Sequence, residues 1–408
     1  MTSQRVVVVG AGHAGGSFVA LLRQGGFDGD VVMIGAEEHL PYHRPPLSKS
    51  FGDSMPVKWL RDACFYGENG IVTKLGETAT AIDRQAKTVR LASGAEVAYD
   101  VLVLATGAEP RRLPLPGDGL DGIHTLRTLA DAVALREAIV DGQSLVIIGG
   151  GYVGLEVAAA ARGRGVDVTI IEREERVLNR VASPLLSGLL SDHHRAQGTR
   201  ILTAAEMAGF ICDRGRVGGV RLADGTEIGG GFVLVGVGAV PRDTLAGSAG
   251  LACAGGIVVD DMARTSDPSI LAIGDVTNRP VGEGTTAVGR MRLESIPSAI
   301  EQAKQAAAGI LGSSRDTLDV PWFWSDQFDL KIKIAGIVRG NFETAVRGEA
   351  SSGSYALFHH DAGRLVAAET VNAPREFMAA KRILSAGGRI DPGALADPAV
   401  DLRTLQAA

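Results

Sequence analysis

The run Arg5-Val6-Val7-Val8-Val9-Gly10-Ala11-Gly12-His13-Ala14-Gly15-Gly16 admits few folds. Four consecutive valines suit a strand buried on both faces, and the glycines after them suit a tight turn that opens a helix. In the spacing Gly10-x-Gly12-x-x-Gly15 the first glycine lets the chain turn. The second lets the backbone approach a pyrophosphate, and the third lets the helix pack against the strand. An anion then faces the unpaired N–H groups and the positive end of the helix dipole. Gly-rich turns also serve plain packing, so one such turn does not by itself define a nucleotide site.

The chain that follows completes the unit and then repeats it. A helix is expected from about Ala14 to Gln24, ended by Gly25-Gly26, then a buried strand Val31-Val32-Met33-Ile34 closed by Gly35. An acidic residue is wanted there to accept from a ribose hydroxyl, and Glu37 and Glu38 stand in place. Gly149-Gly150-Gly151-Tyr152-Val153-Gly154 repeats the fingerprint 139 residues after Gly10, behind the strand Leu145-Val146-Ile147-Ile148. The next strand, Val166 to Ile171, delivers Glu172, 23 residues after Gly149, against about 20 for a ribose-binding carboxylate. Two complete strand–turn–helix–strand–acid units predict an α/β protein with two nested Rossmann-type dinucleotide-binding domains.

Between the units, Pro110, Pro114 and Pro116 with Gly117 and Gly119 mark a linker. A helix near Leu129 to Val140 follows, with Thr128 as N-cap and Asp131 three residues on. Phe232 to Gly238 closes the second unit. Ser269 to Asp275 is a short buried strand that puts a carboxylate at a glycine turn, suited to ligand hydroxyls. Ser298-Ala299-Ile300-Glu301 reads as a capping box opening a helix. Meander strands from Pro321 onward and a helix near Arg375 to Leu384 indicate a third, α+β domain. The expected division is 1–112 with 243–320, 113–242, and 321–408.

Glycine is abundant, 54 of 408 residues, but sits mostly at the ends of apolar runs. The net charge of −6 gives no footprint for nucleic acid. Cys64, Cys212 and Cys253 are far apart and form no C-x-x-C pair, which excludes a disulfide scaffold, a redox disulfide and an iron–sulfur or zinc site of known spacing. The eight histidines show no metal-ligand spacing, so no metal is expected. No eighteen-residue apolar stretch and no signal peptide is read, and the expectation is a cytoplasmic protein. Two dinucleotide sites imply two cofactors that exchange electrons, and hydride donation from a nicotinamide to a flavin fits best.

Several strings are more specific than the glycines: Arg44-Pro45-Pro46-Leu47-Ser48-Lys49, Ala105-Thr106-Gly107, Gly154-Leu155-Glu156, Gly274-Asp275 and Trp322-Phe323-Trp324-Ser325-Asp326-Gln327. With the two fingerprints, they make the chain resemble, over nearly its whole length, the FAD-dependent NADH:ferredoxin reductases that serve bacterial cytochrome P450 and ring-hydroxylating oxygenase systems, the putidaredoxin reductase group. The resemblance implies FAD at the first site, with Gly10, Gly12, His13, Ala14 and Gly15 along its pyrophosphate and Ala36 and Glu37 toward its adenosine ribose. Relatives often carry Asp where this chain has Ala36, and Glu37 is the replacement. Arg44, Pro46, Lys49, Ala79, Ala105, Thr106, Gly107, Arg127, Gly274, Asp275 and Ile296 complete the implied FAD set. NADH would take Gly149, Gly151, Tyr152, Val153, Gly154, Glu156, Glu172 and Gly238.

The same resemblance implies that Lys49 and Glu156 pair beside the flavin and serve catalysis by orienting the nicotinamide. Glu172 would repel a 2′-phosphate by on the order of 4 kcal/mol per unit charge pair at about 4 Å and an effective dielectric near 20. Arg173 and Arg176 are near enough in sequence to soften that repulsion. The implied acceptor is a small [2Fe–2S] ferredoxin, met by Trp324 and by cations drawn from Arg290, Arg292, Lys304, Lys331, Lys333 and Arg339. Competing readings are a rubredoxin reductase, an NADH oxidase, and a non-catalytic NADH-responsive flavoprotein similar to apoptosis-inducing factor.

Overall fold

The computed structural model describes residues 4–51, 57–281, 289–313, 319–340 and 342–405. They divide into two compact units: Met1–His43, Pro56–Glu109 and Val240–Phe323 form the first, and Arg44–Met55, Pro110–Ala239 and Trp324–Ala408 the second.

The valine run forms the central strand of the first unit. Arg5–Val9 pairs in parallel with Asp30–Gly35 on one side and Val101–Leu104 on the other, with Ile71–Leu75 and Ile270–Ala272 outside them. Val6, Val7 and Val8 are wholly buried because helices or further strands cover both faces of the sheet. At about 1.5–3 kcal/mol for each buried aliphatic side chain, such runs are a main source of the unit's stability. Helix His13–Gln24 packs on one face together with helix Ile296–Ile310, around Phe18, Val19, Leu22, Ala303 and Ala306. Residues 79–98 form a separate three-stranded antiparallel sheet whose Val89, Leu91 and Val97 cover the other face.

The second unit repeats this plan. Ser144–Ile148 lies between Asp167–Ile171 and Phe232–Val235, all parallel, and Arg200–Leu202 and Ile123–His124 close the edges. Its C-terminal part is a five-stranded antiparallel sheet in the order Trp322–Gln327, Leu330–Gly336, Arg364–Val371, Ser354–Asp361, Glu343–Glu349. Helix Pro374–Ala386 packs on that sheet through Phe377, Ala380 and Ile383.

Local signals held to different degrees. Thr128 and Asp131 make the expected reciprocal cap of helix Leu129–Ala138. The Ser298–Glu301 box does not form. That helix begins at Ile296, with Ser295 Oγ accepting from the Ser298 N–H at 3.2 Å. Pro297, which suits the first turn, allows the earlier start. Ser298 and Glu301 turn inward instead, to the buried Arg279: Glu301 Oε2 accepts from its guanidinium at 3.0 Å. Ile71–Leu75 joins the main parallel sheet and not the small one that follows it.

Candidate functional site

Both fingerprint turns have a shape that glycine alone permits. Gly10 has φ +122° and Gly149 φ +102°, in the region that favours glycine. A Cβ on Gly10 would stand 2.1 Å from the Ala105 carbonyl oxygen, and one on Gly149 2.5 Å from that of Gly236. A Cβ on Gly15 would meet Gly10 O at 2.0 Å, and one on Gly154 would meet Gly149 O at 2.3 Å. The middle glycines differ. A Cβ on Gly12 would meet nothing within 4 Å, and one on Gly151 only Gly236 O at 4.0 Å. Outer glycines closed by packing and a middle glycine left open make a cradle that fits a pyrophosphate at the N-terminus of each helix.

In the first unit the turn gathers several expected residues. Ala105 and Thr106 lie against Gly10, and Thr106 Oγ1 donates to Arg242 O at 2.7 Å. Gly274 has φ +79° and comes so close to Ala14 that a Cβ would be 2.9 Å from it, which brings half-buried Asp275 to the fingerprint. Ile296 is the first residue of its helix, and Ala79 opens the small sheet. Glu37 is half-buried and accepts from the Tyr42 hydroxyl at 2.6 Å, whereas Glu38 and Ala36 are exposed. Tyr42 in turn meets the exposed Trp59 edge-on at 6.4 Å. Sequence reading missed Tyr42, although it lies five residues past Glu37 between two prolines' worth of rigid loop. His13 is buried, with the His43 ring 5.2 Å away.

In the second unit Glu172 is tied into its turn. Its Oε2 accepts from Gly150 N–H at 2.6 Å and its Oε1 from Glu174 N–H at 2.9 Å. The two nearby arginines are committed elsewhere: Arg173 to Glu174 at 3.0 Å, and Arg176 to the carbonyls of Ala182 and Asn179. Neither guanidinium bonds to the Glu172 carboxylate. Gly238 has φ +98° beside Arg180. Burial, then the charges of Glu369 and Glu156, push the Tyr152 phenol up, so it stays neutral. Val153 is exposed.

The Arg44–Lys49 string forms a short 3₁₀ turn, Pro45–Ser48, packed on helix Tyr152–Arg162, and Arg44 donates to Arg127 O at 2.6 Å. Pro45 and Pro46 fix the turn's φ, so Ser48 and Lys49 arrive at the helix face carrying Glu156. Lys49 Nζ lies 2.6 Å from Glu156 Oε1 and 3.2 Å from Asp326 Oδ2. Glu156 is only 6% exposed and takes three donors: Lys49, the Ser48 hydroxyl on Oε2, and the Ser325 hydroxyl on Oε1 at 2.7 Å. A buried carboxylate is stable only with such partners. The pair was expected. Ser48, Ser325 and Asp326 were not given roles, although the specificity of their strings was a usable signal.

Among the expected acceptor-facing cations, Lys331, Arg339 and Lys304 are exposed. Lys333 lies over the Phe377 ring at 5.1 Å, Arg292 pairs with Glu294 at 2.5 Å, and Arg290 donates to the carbonyls of Val259 and Asn278. Trp324 is half-buried. The three cysteines are free and exposed, and no metal-binding cluster occurs among the described residues.

A duplicated parallel-sheet architecture with two such cradles defines a pyridine-nucleotide-linked oxidoreductase. The chain belongs to the pyridine nucleotide-disulphide oxidoreductase family, which matches residues 4–303, and residues 322–406 match the reductase C-terminal domain. It is 44% identical to the "Probable ferredoxin reductase CtmF" of Castellaniella defragrans over 99% of both chains. It is 39% identical to rhodocoxin reductase of Rhodococcus erythropolis, covering 98% of this chain and 93% of that one. The solved covalent complex of putidaredoxin reductase with putidaredoxin superposes with a TM-score of 0.94 at 35% identity, covering 99% of this chain and 98% of that one.

Proposed function

We propose that the chain is a flavoprotein reductase that takes a hydride from NADH onto FAD and delivers single electrons to a [2Fe–2S] ferredoxin serving a cytochrome P450 or ring-hydroxylating oxygenase. The observation that carries this reading is the pair of glycine cradles, one per Rossmann-type unit, with the Lys49–Glu156 pair in the second. Residues 1–112 with 243–320 hold FAD, 113–242 hold NADH, and 321–408 form the C-terminal α+β domain. No helix among the described residues is long and apolar enough to cross a membrane, and the proposed location is the cytoplasm.

When bound, FAD supplies a ring that accepts two electrons together and releases them singly. Gly12 and Ala14 offer backbone to its pyrophosphate, Glu37 receives the adenosine ribose, Asp275 receives a ribityl hydroxyl, and the Ile296 backbone faces the ring. Gly151 does for NADH what Gly12 does for FAD, and Glu172 receives the 2′-hydroxyl of its ribose. Lys49 holds a fixed positive charge that orients the nicotinamide and steadies negative charge arriving on its acceptor. Glu156 holds that ammonium in place. No side chain has to move a proton for a direct hydride transfer, and with no C-x-x-C pair in the sequence the electrons pass from flavin to acceptor without a redox disulfide.

The purified protein should carry a flavin absorbance that NADH bleaches anaerobically with one equivalent. Lys49→Met should slow that bleaching about tenfold or more, since it removes a charge-assisted contact worth about 1.5–3 kcal/mol. A Lys49→Met protein bleached at the wild-type rate would remove Lys49 from the mechanism.

A further inference from the structure

Glu156 stands at the end of a buried chain of side chains. Ser325 Oγ lies 2.7 Å from Glu156 Oε1, Gln327 Nε2 lies 3.1 Å from Ser325 Oγ, and His194 Nε2 lies 3.0 Å from Gln327 Oε1. Ser325, Gln327 and His194 are all wholly buried. We propose that Ser325 and Gln327 are positioning residues, part of a one-way hydrogen-bond chain running from His194 to Glu156 that fixes the Glu156 carboxylate and so keeps the Lys49 ammonium seated on it, while Lys49 also reaches Asp326. The proposal rests on the reductase reading for the use made of Lys49, but the placement of Lys49 is its own measurable consequence.

The direction of the chain follows from its end. An ionised carboxylate only accepts, so the single hydroxyl hydrogen of Ser325 goes to Glu156. Ser325 oxygen is then the acceptor, and only the amide NH₂ of Gln327 can donate to it. That turns the Gln327 carbonyl oxygen to His194, which must present an N–H at Nε2. Burial pushes the His194 pKa down to about 4, so the ring is neutral with its one proton on Nε2. Its Nδ1 is then a bare lone pair, buried with no hydrogen-bond partner. An unpaired acceptor is the cheaper of the two omissions. The neighbouring His193 is turned to Asp329 at 2.9 Å, and Phe328 closes on the His194 ring edge-on at 5.0 Å.

Strand geometry explains why these residues share the task. Successive side chains alternate across Trp322–Gln327, so Ser325 and Gln327 point the same way, into the core. Asp326 points the other way and is 45% exposed in its side chain. It is the second carboxylate on Lys49, with Oδ2 3.2 Å from Nζ. With Ser325 donating to Glu156 Oε1, that oxygen keeps a fixed place and Lys49 sits at 2.6 Å. Without the hydroxyl, Glu156 loses a donor and can rotate, and Lys49 gains freedom to follow Asp326 toward water.

The test uses the flavin-loaded enzyme without NADH. Trace acetylation by acetic anhydride, read by mass spectrometry, compares Lys49 with exposed Lys304. Ser325→Ala should raise relative labelling of Lys49 about tenfold, the effect of losing one hydrogen bond to a charged group. Gln327→Met removes the donor at similar volume and leaves the Ser325 oxygen without its partner, and should act in the same direction. Ser325→Thr, which keeps the hydroxyl, should stay within about twofold of wild type. Flavin reduction by NADH should slow in step with the labelling while NADH affinity is kept. Wild-type labelling of Lys49 in folded Ser325→Ala and Gln327→Met proteins would overturn the proposal, and Gln327→Met decides alone if Ser325→Ala does not fold. Faster labelling with an unchanged reduction rate would overturn its catalytic half. A wild-type enzyme that NADH fails to reduce would instead overturn the reductase reading and leave the labelling result standing.

Discussion

Glu172 carries the prediction most open to numbers. Its carboxylate is fixed by the N–H groups of Gly150 and Glu174, and neither Arg173 nor Arg176 turns to it. A 2′-phosphate about 4 Å away would meet on the order of 4 kcal/mol of repulsion per unit charge pair at an effective dielectric near 20. The site is half-exposed, and physiological salt screens over roughly 8 Å, which brings the working figure to about 2 kcal/mol. Glu172→Ala should therefore reduce the ratio of kcat/KM for NADH over NADPH about thirtyfold, since each 1.36 kcal/mol is a factor of ten. Loss of the 2′-hydroxyl's acceptor lowers the NADH value while relief of repulsion raises the NADPH value. The assay is steady-state reduction of ferricyanide with each nucleotide, alongside circular dichroism to confirm folding. A folded variant whose ratio moves less than about twofold would refute the argument, because that is within the noise of a screened surface charge.

Gly12→Ala should fold with wild-type stability yet purify with little flavin, because its Cβ enters open space where a pyrophosphate belongs; Gly15→Ala, 2.0 Å from Gly10 O, should fail to fold. Flavin content per protein and the thermal midpoint separate the two. His194 is held near pKa 4 in the fold against 6.5 unfolded, so the unfolded chain takes up a proton first as pH falls. Its contribution is whole above pH 6.5 and is lost on acidification toward 4, about 3 kcal/mol in all, and urea unfolding of His194→Gln should show a correspondingly shallower acid loss. Reduction of a [2Fe–2S] ferredoxin should slow as salt is raised while NADH reduction of small dyes does not; a salt-insensitive ferredoxin rate would count against electrostatic steering.

The fold was legible where backbone chemistry leaves little choice. Val6 to Gly15 could be placed because apolar runs and obligatory glycines act locally, and the repeat at Gly149 made the inference secure. The Ser298 box failed because a cap motif competes with tertiary partners: the buried Arg279 needs Glu301 more than the helix end does. Lys49 and Glu156 are 107 residues apart, and no periodicity links them; family strings did. The Trp322–Gln327 string pointed to Ser325, but its link through Gln327 to His194 was out of reach because it depends on which way one strand's side chains face. Where the Arg173 and Arg176 guanidinium groups point was out of reach for a similar reason, since nearness in sequence does not set it.

The central claim is that electrons entering from NADH leave singly to an iron–sulfur protein. Its most direct test is to mix the NADH-reduced protein anaerobically with an oxidised [2Fe–2S] ferredoxin and with a rubredoxin, and in parallel with oxygen, following each acceptor's absorbance. The account predicts rapid reduction of the ferredoxin, two molecules for each NADH consumed, and slow reaction with the other two. Fast consumption of oxygen or rubredoxin with the [2Fe–2S] protein left oxidised would contradict it.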